Sequence, residues 1–136
     1  MSLVFRSLHA ASKPDLLNEE WLLLENTGPG VLNAAGWSVT VARQGQRPRP
    51  LGTLSPGFIM QPGDKVRLIT GSPGKKSLGT PPTDEAGVKL YYLFLREPVL
   101  ARPGLVLRIA LNQAELARAV FAPDRQDGLS TPTTTT

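Results

Sequence analysis

The 136-residue chain contains no cysteine and one histidine, His9. Without thiols there is no disulfide framework, no thiolate metal site and no cysteine nucleophile. A single imidazole restricts Ser-His-Asp chemistry to arrangements around His9 and excludes zinc sites built on several histidines. Lys13 and Asp15, close to His9 in sequence, supply neither a nucleophile nor an orienting partner, so His9 is expected as a surface or half-buried strand residue. Asp15, Glu19, Glu20 and Glu25 read as solvated carboxylates rather than ligands. No catalytic residue, metal ligand or cofactor is therefore expected.

Long apolar runs are also missing. The longest, residues 90–95, is far shorter than the roughly 20 residues a helix needs to cross a bilayer. No basic-then-apolar leader precedes the first strand, and the chain reads as soluble. No heptad repeat is present, which excludes a coiled coil, and no Asn-x-Ser/Thr acceptor occurs. Aromatic residues are sparse: two Trp, two Tyr and four Phe.

What the chain does have is punctuation. Thirteen Gly and thirteen Pro fall between short apolar runs, a distribution that favours many short strands over a few long helices. Residues 20–41 hold strand, turn and strand in succession. Trp21, Leu22, Leu23 and Leu24 form an apolar run whose successive side chains alternate across a sheet, Trp21 with Leu23 and Leu22 with Leu24. Asn26, Gly28, Pro29 and Gly30 then supply turn chemistry. Trp37, Val39 and Val41 alternate with Ser38 and Thr40, which places a large ring and two β-branched side chains on one buried face. Trp37 is expected near the centre of the core.

Elsewhere, residues 3–9 alternate as an N-terminal edge strand. RQGQRPRP at residues 43–50 reads as a loop, and Leu54, Phe58 and Met60 as a short strand. Gln61, Pro62, Gly63 and Asp64 form a type II turn signature joining that strand to residues 65–70 as a hairpin. Leu105, Leu107, Ile109 and Leu111 mark a clean strand. Residues 115–121 suit helix by propensity and strand by context, and strand is preferred. The prediction is an all-β, immunoglobulin-like β-sandwich of about eight or nine short strands spanning residues 1–121. A flexible Pro/Thr-rich tail follows at 122–136, where the composition offers nothing to bury.

Asn18, Glu19, Trp21, Leu22, Leu24, Asn26, Gly28, Leu32, Gly36 and Trp37, together with Pro81, Pro82, Thr83 and Asp84, resemble the motifs of the lamin tail domain, in a bacterial-type member. The resemblance implies an immunoglobulin-like sandwich and a non-catalytic role as an interaction or tethering module that binds a protein partner. The chain departs from the family where Val88, Leu90, Tyr91 and Tyr92 stand in place of its tryptophans.

Two candidate surfaces emerge. The first is electrostatic. Residues 43–83 carry seven basic side chains (Arg43, Arg47, Arg49, Lys65, Arg67, Lys75, Lys76) against Asp64 alone, although the net charge of the chain is only +4. Arg43, Arg47, Arg49, Lys75 and Lys76 are candidates for weak, sequence-independent binding of nucleic acid or another polyanion, since arginine pairs with phosphate oxygens and no aromatic interleaves to stack on bases. The second is apolar. Tyr91, Leu93 and Leu95 share one face of a strand whose other face carries Leu90, Tyr92 and Phe94. One set must turn away from the core, so Tyr91, Leu93 and Leu95 are a candidate interface for a partner or a homodimer. The glycine-containing segment 71–77 lacks the spacing and following helix of a phosphate loop and reads as a solvated loop.

Overall fold

The computed structural model describes residues 3–11, 13, 15–33, 36–42, 47, 49–54, 59–72, 76–79, 88–95, 99–100, 104–111, 114–122 and 128–130. Its elements are β1 (Leu3–His9), β2 (Trp21–Asn26), β3 (Leu32–Asn33), β4 (Ser38–Ala42), β5 (Arg49–Thr53), β6 (Ile59–Met60), β7 (Lys65–Ile69), β8 (Val88–Tyr92), β9 (Val106–Leu111), β10 (Ala114–Phe121) and β11 (Leu129–Ser130), with single 3-10 turns at Leu17–Glu19 and Lys76–Leu78. The fold is an all-β sandwich. The eleven strands among the described residues exceed the about eight or nine expected because β3, β6 and β11 are two-residue pieces.

One sheet has the order β1-β2-β7-β8, the other β11-β10-β9-β4-β5, and β3 pairs with β6 apart from both. β1 lies across the sandwich from β10 and β11. Residues 115–121 are strand: β10 runs antiparallel to β9, with Arg118 opposite Arg108 and Ala119 opposite Leu107. Helical propensity there yields to pairing, since Ala117, Ala119 and Phe121 are all buried on one face.

The inner faces form one cluster. β1 gives Leu3, Phe5 and Leu8, β2 gives Leu22 and Leu24, and β7 gives Val66 and Leu68; from the opposite sheet come Trp37, Val39, Val41, Leu107 and Ile109. The alternation of β2 appears as expected: Leu22 and Leu24 are buried while Trp21 and Leu23 are half-exposed on the outer face. On that face the Trp21 indole stacks on the His9 imidazole, with ring centroids 5.0 Å apart, and the Arg67 guanidinium carbon lies 4.6 Å from the indole centre. His9 Nδ1 donates to Glu19 O at 2.9 Å. Leu17 and Ile69 are buried outside the main cluster.

Three expectations about connectivity change. Arg49 and Pro50 belong to β5 rather than to a loop, and proline is accommodated because β5 is an edge strand with one ladder to satisfy. The turn at Gln61 and Asp64 forms as predicted, with Asp64 N donating to Gln61 O at 3.0 Å and Gly63 at φ 85, but it does not close a hairpin. β6 pairs with β3 and β7 with β2, because the turn docks on Asn26: Asn26 N donates to Asp64 O at 3.0 Å and Gly63 N to Asn26 O at 2.8 Å. Finally, the ordered sheet runs beyond Phe121. Leu129 pairs with Phe121, and Ala122 N donates to Gly128 O, so the segment expected as tail contributes β11.

The Asp64 carboxylate anchors this turn, accepting from Gln61 N at 2.8 Å and lying 3.3 Å from Lys89 Nζ. The Gln61 amide, helped by Lys89, holds its pKa below the usual carboxylate value. A depressed folded pKa contributes stability that is present above the unfolded pKa and disappears as pH falls through the folded one. Asp64→Asn is therefore expected to melt below the parent at neutral pH and to converge with it in acid. A difference in melting temperature that stays constant from pH 7 to pH 2 would contradict this.

Candidate functional site

β8 is the edge of one sheet and β5 the edge of the other, and the two edges border a cleft of about 460 Å³ lined by Gly52, Thr53 and residues 90–94. β8 pairs with β7 in parallel, Leu90 beside Arg67 and Tyr92 beside Ile69, an arrangement that requires the long connection spanning residues 70–87. Beyond Tyr92 the ladder does not simply continue. Leu93 N donates to Ile69 O at 2.7 Å, Phe94 N to Gly71 O at 3.0 Å and Leu95 N to Thr70 O at 2.9 Å. This out-of-sequence pairing is made possible by Phe94, which adopts φ 55. A left-handed conformation costs a non-glycine residue about 1–2 kcal/mol. Phe94 is also 65% exposed, the most exposed large apolar residue among the described residues.

The three residues expected as an interface divide. Tyr91, Leu93 and Leu95 are half-buried and packed against the core of their own chain. Tyr91 and Leu93 nevertheless line the cleft, whereas Leu95 does not. Phe94 belongs to the other set. Alternation groups it with Leu90 and Tyr92, and that set is the one left off the core, while Tyr91, Leu93 and Leu95 pack against it.

Of the basic candidates, Arg43 and Lys75 lie outside the described residues. Arg47 is exposed, Arg49 opens β5 and Lys76 opens the second 3-10 turn. The strand ends flanking the two basic segments share one end of the sandwich. β4 ends at Ala42, level with Val106, near the point where β10 finishes and Gly128 meets Leu8 O of β1; β7 ends level with Trp21 and His9.

One carboxylate read as solvated proves to be interior. Glu20 is 1% exposed, and its Oε1 accepts from Thr70 Oγ1 at 2.5 Å and Val99 N at 2.7 Å, while Oε2 accepts from Leu100 N at 3.0 Å. A motif-adjacent acid beside Trp21 offered no signal of this, because its donors are 50 to 80 positions away in sequence. Asn18 and Asn26 are also buried and serve as internal brackets. Asn26 Nδ2 donates to Gly30 O and Met60 O, and Asn18 both donates to and accepts from Ser72.

Among the described residues no group of three or more histidines or carboxylates gathers as a metal site, and no helix is long and apolar enough to cross a membrane. Fold and cleft together define an all-β sandwich with an open, largely apolar cleft where an edge of each sheet comes together. No family model matches the chain, and no curated protein sequence matches it.

Proposed function

We propose that this chain is a non-catalytic interaction or structural tethering module, similar to the lamin tail domain and immunoglobulin-like in organisation, that binds a protein partner at the β5–β8 cleft with Phe94 as the anchor. The observation that carries this reading is the pairing of exposure with strain at one residue. An exposed phenylalanine contributes little to its own fold, and a left-handed backbone is costly for a residue other than glycine, so the choice of phenylalanine here has no stabilising reason. Both make sense at a contact surface, where aromatic side chains set in a cleft dominate binding energy. The neighbouring strands β5 and β8 are sheet edges, the kind of element to which an extended partner segment adds as a further strand.

The test separates function from fold. Phe94→Gly should leave stability unchanged or raise it by up to about 1 kcal/mol, since glycine accepts positive φ without penalty. The same variant should lose capture of any partner from native lysate by tenfold or more. Val31→Glu, altering another exposed apolar residue that does not line the cleft, should retain that capture. A partner retained equally by Phe94→Gly would remove the cleft from consideration.

A further inference from the structure

Glu20 is an ionisable side chain enclosed in a sandwich core, a costly place for it unless its oxygens are fully engaged. Its three donors come from two different parts of the chain. Thr70 follows β7, while Val99 and Leu100 belong to the connection from β8 in one sheet to β9 in the other. The successive amides of Val99 and Leu100 present both N–H groups to one carboxylate, the geometry of a backbone anion nest. Val99 and Leu100 are themselves buried in the core, at 2% and 5% exposure.

Thr70 is the hub. Its N–H donates to Glu20 O at 3.0 Å, its hydroxyl donates to Glu20 Oε1, and its carbonyl accepts from Leu95 N. Phe94 is thus held on both sides. Its own N–H is fastened to Gly71, the residue after Thr70, and the following N–H is fastened to Thr70 itself. A few residues further on, the chain is caught again by the Glu20 carboxylate. A left-handed phenylalanine persists only where its surroundings over-determine it, and these bonds supply that determination.

We propose that Glu20 is a buried latch: through Thr70 and the Val99 and Leu100 amides, it fastens the connection between the sheets and thereby holds Phe94 in its left-handed conformation at the mouth of the cleft. Glu20 is a positioning residue and does not itself face a partner. The consequence for binding rests on the cleft being the interaction site, but the latch is a property of the free protein.

Native-state amide exchange followed residue by residue on the full chain tests it. Glu20→Gln keeps the shape but turns an NH₂ group toward one of the donors. Thr70→Val keeps the shape and removes only the hydroxyl. In both, the amides of Leu95, Val99 and Leu100 should exchange about tenfold or more faster than in the parent after correction for the change in global stability, the scale of one lost hydrogen bond to a charged group. Amides of β9 and β10 should follow global stability alone. The Phe94 backbone chemical shifts should move from left-handed toward extended values, and Thr70→Ser should restore both readouts. A uniform change across all strands, with Phe94 shifts unmoved, would overturn the latch. If Glu20→Gln does not fold, Thr70→Val decides by the same two readouts. An intact latch together with full partner capture by Phe94→Gly would refute the cleft and leave the latch standing.

Discussion

Trp37→Ala is expected to cost about 3–5 kcal/mol, the range for deleting a fully packed aromatic, from a total stability on the order of 5–15 kcal/mol. Trp37 is 2% exposed and sits on the inner face with Val39 and Val41, opposite the first sheet. Its backbone is bridged as well: Leu54 N donates to Trp37 O at 2.8 Å, and Gly36 N to Leu54 O at 3.1 Å. The ring therefore cannot be replaced by a local collapse without disturbing the junction between β4 and the residue that follows β5, and much of its volume should remain as a cavity. The melting temperature should fall by roughly 10–20 °C, with the urea midpoint moving in step and the denaturant slope unchanged. A midpoint within error of the parent would remove Trp37 from the centre of the core.

Gly71→Ala is the second large effect, and its cause is close approach rather than backbone torsion. A Cβ at Gly71 would overlap Asn18 Oδ1 and lie 2.9 Å from Asn18 N. The amide side chain has nowhere to go. Asn18 Nδ2 donates to Ser72 O at 2.9 Å while Oδ1 accepts from Ser72 N at 2.8 Å, and Asn18 is 1% exposed. Relieving the clash breaks this two-bond bracket and leaves buried polar groups without partners, at about 1–3 kcal/mol each. The expected loss is about 2–4 kcal/mol. A double-mutant cycle identifies the mechanism. Asn18→Ala alone should cost a comparable amount by emptying the same bracket, and adding Gly71→Ala to it should cost much less than the sum. Additive losses would show that the glycine is required for some other reason.

Much of the sandwich was legible because strand faces are encoded locally. A period of two along residues 21–24, 37–41 and 105–111 says which side chains share a surface, whatever they are paired with. Turn residues at 26–30 and 61–64 mark where the chain reverses, since positive φ and fixed φ are properties of glycine and proline themselves. The burial of Trp37 followed from the same local information. The cleft lining was legible only in part. A period of two separates Tyr91, Leu93 and Leu95 from Leu90, Tyr92 and Phe94, but does not say which set packs against the core; the first set does, and Phe94 is left exposed.

By itself, then, the sequence determined the class: an all-β chain, its principal inward faces, its core tryptophan and the want of thiol or multi-histidine chemistry. Tertiary structure alone decided which strands are neighbours. Residues 61–64 turn without forming a hairpin because Asn26 captures the turn, and β8 joins β7 in parallel across a connection whose length gives no directional signal. It also decided the fate of Glu20. A carboxylate at the start of a strand, beside a half-buried tryptophan, is solvated by default, and only convergence with Thr70, Val99 and Leu100 makes its burial tolerable. The physical reason is common to all three. Local pattern fixes which way a side chain points, whereas pairing partners and buried hydrogen-bond donors come from distant parts of the chain and exist only once the chain has closed on itself.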